Sequence, residues 1–399
     1  MQHIRLTRAD CDRHDATDAI QKALDTPNVD AVTVEYTGRP WIVRPLFIRR
    51  DGRSLRLNPG VAIEAKPGAF KDIHDCLLSV LGQENVTIEG HGATLRMRKE
   101  DYTGTKSTKG TKAYTPSEWR HGVSIRGSRS TNVSGITVES SGGDGIYIGA
   151  YAPGLDYGHG VASNVVQVHD CALDQNHRAG LSVVSGTGIH IERTTASNTK
   201  GTAPQCGFIV EPANPTHEAD VSFVDCKSGN DASGGFYVNL ARMKDPIREA
   251  RISFRACRVF RSGGSGIRIR LFPTESRGSV VAEDCLFENT AGPGLHLQWT
   301  PKSNINARFD NCVWKNAAYI RESAFRFDLS DGEVQNGTVT FSRAMLFAAL
   351  RRRDLLNVQC VDGMVFPGIS GDVAVYDRVG GTLPIPELPN VNVITEILP

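Results

Sequence analysis

This chain of 399 residues has no surplus of either charge: 45 lysines and arginines face 44 aspartates and glutamates. A net charge of +1 leaves no basic excess for a nucleic-acid backbone or an anionic membrane surface, so neither is expected as a partner. No run of about 18 apolar residues occurs, which argues against a membrane-spanning helix. The opening Met1-Gln2-His3-Ile4-Arg5 lacks the apolar stretch of a secretion signal, so the expectation is an intracellular protein or one whose signal has been removed. There is no Cys-x-x-Cys pair and no metal motif of recognised spacing. Glycine-rich stretches do not open a helix after a strand, so a phosphate or dinucleotide loop is not expected. No cofactor is expected, with a calcium-like cation at Asp156, His159 and Asp170 as the one open alternative. Windows of 3.6-residue apolar periodicity are scarce, which argues against a helical solenoid.

What the chain has is a short repeat, Gly-apolar-x-apolar. It runs through Gly122-Val123-Ser124-Ile125, Gly145-Ile146-Tyr147-Ile148, Gly180-Leu181-Ser182-Val183 and Gly207-Phe208-Ile209-Val210. It continues in Gly235-Phe236-Tyr237-Val238, Gly266-Ile267-Arg268-Ile269 and Gly294-Leu295-His296-Leu297. Successive glycines stand 23, 35, 27, 28, 31 and 28 residues apart, the spacing of solenoid coils. A second alternating strand lies between the copies, as in Ile189-His190-Ile191-Glu192 and Ala250-Arg251-Ile252-Ser253-Phe254. The reading is an all-β, single-stranded right-handed parallel β-helix with an N-terminal capping helix. One structural domain is expected, with cap and first coils at 1–70, the β-helix at 71–345, and a C-terminal cap and tail at 346–399. Asp15 or Thr17 should cap a helix over 15–24, strands should follow at 31–34, 41–43 and 54–57, and a loop should fill 150–160. A short helix or coil is expected at 347–353, then a strap carrying Pro384, Pro386 and Pro389. The 40 glycines are expected at tight corners. Cys171, Cys226, Cys257, Cys285 and Cys312 sit in similar settings and read as a ladder of small buried side chains.

Stacking turns the repeat into columns, since the x positions point away from the core. The first outward column reads Ser124, Tyr147, Ser182, Ile209, Tyr237, Arg268, His296, Arg326. The second reads Arg126, Gly149, Val184, Glu211, Asn239, Arg270, Gln298, Asp328. Aromatic and hydrogen-bonding groups side by side suit sugars, which have apolar faces and polar rims. His121 and Asp144 should be neighbours one coil apart, where carboxylate and imidazole can tune each other for proton transfer. Asp144 and Glu211, two coils apart, are candidates for the paired carboxyls of a glycosidase, with His177 and Arg178 at the adjoining corner. Tyr147, Tyr237, Asn239, Arg268, Arg270, His296 and Trp119 are the candidate sugar contacts.

The N-terminal helix, the strands ending Leu57-Asn58-Pro59-Gly60-Val61 and the glycine-rich coils resemble the pectate-lyase-like superfamily over roughly residues 12–345. A bacterial β-helix subgroup of it is resembled by Tyr114–His121, Ser141–Gly149, Asn176–Gly180 and Gly201–Pro212. That subgroup often has an Asp where this chain has Ile209. The polygalacturonase branch fits less well, for this chain has no Asp-Asp pair and its Gly158-His159-Gly160 falls in a loop. The resemblance implies a carbohydrate-active protein. Hydrolysis of glycosidic bonds is the first expectation, with a lyase or epimerase acting on a uronate glycan and a non-catalytic glycan binder as alternatives.

Overall fold

The computed structural model describes residues 2–103, 114–154, 159–271, 277–299, 303–318, 323–329, 337–347, 356–359, 368–377, 381–382 and 388–397. The chain is an all-β right-handed parallel β-helix, and its coils divide into two compact units, Met1–Gly207 and Phe208–Pro399.

In the first unit the glycine-motif strands Leu78–Leu81, Val123–Arg126, Ile146–Gly149 and Ala179–Val183 pair in parallel. Opposite them, the longer strands Arg129–Glu139, Ser163–His169 and Gly186–Glu192 form a second parallel stack. The expected strands near the N-terminus are present as Val29–Val34, Trp41–Val43 and Ser54–Leu57. The helix spans Thr17–Asp25 and buries Ile20, Ala23 and Leu24. Its N-cap position is Ala16, so neither expected residue occupies it. Asp15 still accepts the Thr17 N–H at 3.1 Å and also pairs with Lys66 and Arg44. The expected loop at 150–160 is pinned at its base by Tyr151 and Val161, which exchange two backbone hydrogen bonds of 2.9 Å; residues 155–158 lie outside the described residues.

In the second unit Gly234–Asn239, Ser265–Arg270, Leu295–Trp299 and Phe325–Leu329 stack in parallel. The facing stack runs through Ala219–Val224, Glu249–Arg255, Arg277–Glu283 and Asn304–Asp310. It continues past the expected end of the β-helix. Val339–Phe347 pairs with Ile369–Asp377, which pairs with Asn390–Ile397, all in parallel. Phe347 is a strand residue; 348–353, Pro384 and Pro386 lie outside the described residues. Aromatic rings from neighbouring coils stack in this core: Phe223 on Phe254 at 5.0 Å and Phe309 on Phe341 at 5.4 Å.

The motif glycines are not corner residues. A Cβ on Gly122 would overlap the Val138 side chain and lie 2.8 Å from the Gly145 carbonyl oxygen. One on Gly294 would lie 2.5 Å from Trp314. The motif therefore marks where one wall of the coil passes close over the other. The corners themselves are turned largely by non-glycine residues with positive φ: Asp170 (57°), Asp225 (49°), Ala256 (54°), Asp284 (55°) and Asn311 (51°). Each is followed by a ladder cysteine, and all five are buried and free of disulfides. Cys257 gives its Sγ–H to backbone carbonyls of Phe223 or Arg255, both at 3.5 Å. Replacing Cys257 by Ala should cost about 1 kcal/mol in urea unfolding, as the loss of one buried heavy atom.

Candidate functional site

The first unit brings together the residues predicted around Asp144. The bend Ser141-Gly142-Gly143 turns the chain into Ile146–Gly149, and a Cβ at Gly143 would overlap the Glu118 carbonyl. That glycine lets the segment Glu118–His121 close over the strand. Asp144 is wholly buried. Its backbone N–H donates to His121 Nδ1 at 3.0 Å. Ser182 gives its hydroxyl to Asp144 Oδ2 at 2.5 Å, and Arg178 Nη1 reaches the same oxygen at 3.2 Å. On the other side of the guanidinium, the buried Arg178 Nε lies 3.4 Å from Glu118 Oε2. Arg178 is thus shared by two carboxyls, one buried and one reaching solvent.

The electrostatics follow from burial. Loss of solvation pushes the Asp144 carboxyl above its ordinary value, with Arg178 and the Ser182 hydroxyl opposing the rise. Burial, aided by the Arg178 and Arg126 cations, holds His121 well below the usual imidazole value. A neutral ring that accepts the Asp144 N–H at Nδ1 carries its proton on Nε2. The 3.7 Å approach of Nδ1 to Asp144 Oδ2 is then not an ion pair. The His121 ring stacks on Tyr147 at 4.5 Å and 16°, and Trp119 meets it edge-on at 6.2 Å.

This corrects one expectation. Ser124, Tyr147 and Ser182 do form the outward column, with Tyr147 in register with both serines, yet all three are fully buried. Tyr147 lies back over Gly149, where a Cβ would meet its ring at 2.5 Å, and His121 covers its other face. It is not an exposed sugar platform. His177 stands at the adjoining corner, where its backbone N–H donates to the Gly143 carbonyl at 3.1 Å. Its ring packs against Gly201, where a Cβ would overlap it, and burial lowers its imidazole. Trp119 keeps a partly exposed edge. Of the candidate cation residues, Asp156 lies outside the described residues and Asp170 is bonded to Arg193 at 2.7 Å.

The second unit holds the other predicted residues as a strip along Gly234–Asn239, Ser265–Arg270, Leu295–Trp299 and Phe325–Leu329. Tyr237, Arg268, His296 and Arg326 follow one another in register, with Asn239, Arg270, Gln298 and Asp328 beside them. Glu211 accepts from Asn239 Nδ2 at 2.8 Å. Arg268 lies over the Tyr237 ring at 5.2 Å and donates to Gln298 Oε1 at 2.8 Å. His296 Nε2 is 2.8 Å from Asp328 Oδ2, and Arg326 Nε donates to the other oxygen at 2.8 Å. Burial pushes the Asp328 carboxyl up, but these two bonds outweigh it and hold it below its usual value. Burial lowers the His296 imidazole despite Asp328. Asp144 and Glu211 thus fall in different units, each held by its own partners. Ser182, Arg326, Gln298 and Asp328 stand in the predicted columns without an assigned role; Glu118 stands outside every repeat.

No family model matches the chain, and no curated protein does. Solved structures match its fold. A polygalacturonase from Erwinia carotovora ssp. carotovora is 13% identical with a TM-score of 0.53, over 90% of this chain and 96% of that one. PfbA, a surface adhesin of Streptococcus pneumoniae, is 12% identical with a TM-score of 0.60, over 98% and 96%. A hyperthermoactive exopolygalacturonase from Thermotoga maritima is 14% identical with a TM-score of 0.53, over 99% and 91%.

Proposed function

We propose that this protein acts on a poly- or oligosaccharide and breaks its glycosidic bonds by hydrolysis. The observation that carries the glycan reading is the strip of the second unit, where Tyr237, Arg268 and His296 stand on successive coils about 4.8 Å apart with Asn239, Arg270 and Gln298 beside them. Tyr237 and His296 are buried, but Arg268, Asn239, Arg270 and Gln298 keep part of their surface exposed, and hydrogen-bonding groups repeated on successive coils suit the hydroxyl rim of a sugar chain. Catalysis is assigned to the cluster around Arg178 in the first unit, where a fixed cation stands between a buried carboxyl, Asp144, and a partly exposed one, Glu118. The likeness to two polygalacturonases fits this reading.

A second reading, glycan binding without turnover, is favoured by the complete burial of Asp144, His121 and Tyr147, and fits the likeness to the adhesin. The test is a broad glycan panel read by product mass. Gain of one water per cleavage is the expected result. Cleavage without that gain means elimination, for which Arg268 or Arg270 would neutralise a uronate carboxylate. Retention without cleavage means binding alone.

Asp144 variants separate its charge from its shape. Asp144→Asn keeps the hydrogen bond from Ser182 and removes a carboxyl whose proton affinity burial raises. It should unfold within about 1 kcal/mol of the parent at neutral pH. Asp144→Ala strips Arg178 of its inner partner and should cost about 3 kcal/mol. Urea unfolding of the pair checks this, and equal losses would mean that Asp144 contributes through its charge and not through its hydrogen bonds.

A further inference from the structure

Asp144 cannot itself touch a sugar, since none of its surface is exposed. Glu118 can: its side chain is 37% exposed, while that of Arg178, between the two, is 10% exposed. The shared guanidinium links the two carboxyls, with Nη1 3.2 Å from Asp144 Oδ2 and Nε 3.4 Å from Glu118 Oε2. Trp119 follows Glu118 in the chain, with its ring edge-on to His121 and partly exposed. A carboxylate beside an indole edge offers a sugar both a proton acceptor and an apolar face. Glu118 is placed by three contacts that do not depend on one another: the Arg178 guanidinium, the closely passing Gly143, and the Ser117 hydroxyl, which donates to the Ile73 carbonyl at 2.7 Å.

We infer that Glu118 is the carboxyl that meets the substrate and draws the proton from the attacking water, with Asp144 a positioning residue acting through Arg178. The inference rests on the hydrolase reading. In the step, the water oxygen bonds to the anomeric carbon as Glu118 takes one of its protons. The glycosidic C–O bond breaks, its electron pair leaves on the departing oxygen, that oxygen takes a proton from bulk water, and Glu118 returns its own proton to the solvent.

The test has two arms. On whichever glycan the parent hydrolyses, Glu118→Gln should lower kcat at least about 100-fold with KM within about threefold. Glu118→Asp should recover part of the rate, and Asp144→Asn should lose only about tenfold. A Glu118→Gln enzyme within threefold of the parent kcat overturns the inference and leaves the hydrolase reading standing. The second arm does not need turnover. Carbodiimide with glycinamide, read by peptide mass on the folded chain, should label Glu118 at least tenfold faster than Asp144. Equal labelling, or an unlabelled Glu118, overturns the inference even where every glycan is left uncleaved, an outcome that on the panel sinks the hydrolase reading instead.

Discussion

Gly122→Ala should destabilise the first unit by about 3 kcal/mol or more, because the added methyl has nowhere to go. It would overlap the Val138 side chain on the facing wall and press at 2.8 Å on the Gly145 carbonyl oxygen. That carbonyl is not free to swing aside, since it accepts the Val123 N–H at 2.8 Å. Relief therefore requires either moving a buried valine or lengthening a rung of the parallel stack. Gly68→Ala is the control. Gly68 has φ of +77°, and a methyl added there would meet nothing within 4 Å, so its cost is conformational alone, about 1 kcal/mol. Urea unfolding of both variants decides the matter: equal small losses would mean that the repeat glycines serve turning, not close passage.

That distinction shows where sequence reasoning reaches and where it stops. Alternation alone identifies which residues share a column, and Tyr147 does stand opposite Ser124 and Ser182, as Tyr237 does opposite Arg268. A one-residue slip would turn every side chain to the other face, so register is strongly specified. Periodicity says which face of a strand a residue occupies, however, and nothing of what lies over that face. The column pattern makes Tyr147 an exposed residue because nothing in it shows that the His121 ring lies over the tyrosine face. Glu118 escapes the pattern too: a single acidic residue in a corner segment carries no periodic signal, and only the fold sets it against Arg178. The C-terminal strands are obscured differently. Arginine-rich and proline-rich stretches mask the alternation of Val373 and Val375, and of Val391, Val393 and Thr395, whose side chains are buried.

His121→Asn should flatten the acid-side loss of stability that the parent chain shows. Three imidazoles, His121, His177 and His296, are lowered by burial in the folded state. In the unfolded chain each takes up a proton near the ordinary value of about 6.5. Between that value and its own lowered one, the unfolded state holds one more proton per histidine. Stability therefore rises with pH across that window and falls as pH drops below about 6.5. Each histidine contributes a slope approaching about 1.4 kcal/mol per pH unit where the difference is complete. His121 has the deepest window, being fully buried with Arg178 and Arg126 adding to the effect of burial. Asparagine is the fitting replacement, because its side-chain oxygen can take over from Nδ1 in accepting the Asp144 N–H. Loss of the Tyr147 stack lowers stability at every pH, whereas the slope reports protonation alone. Asp144 works with the opposite sign: its raised value makes the folded state hold the extra proton above about 3.8, so ionising it on raising the pH costs stability. The measurement is urea unfolding at pH steps from about 7.5 down to 5. A slope in His121→Asn shallower by about one proton is expected, and an unchanged slope would mean that His121 is protonated in the fold and that its Nδ1 is not the acceptor of the Asp144 N–H.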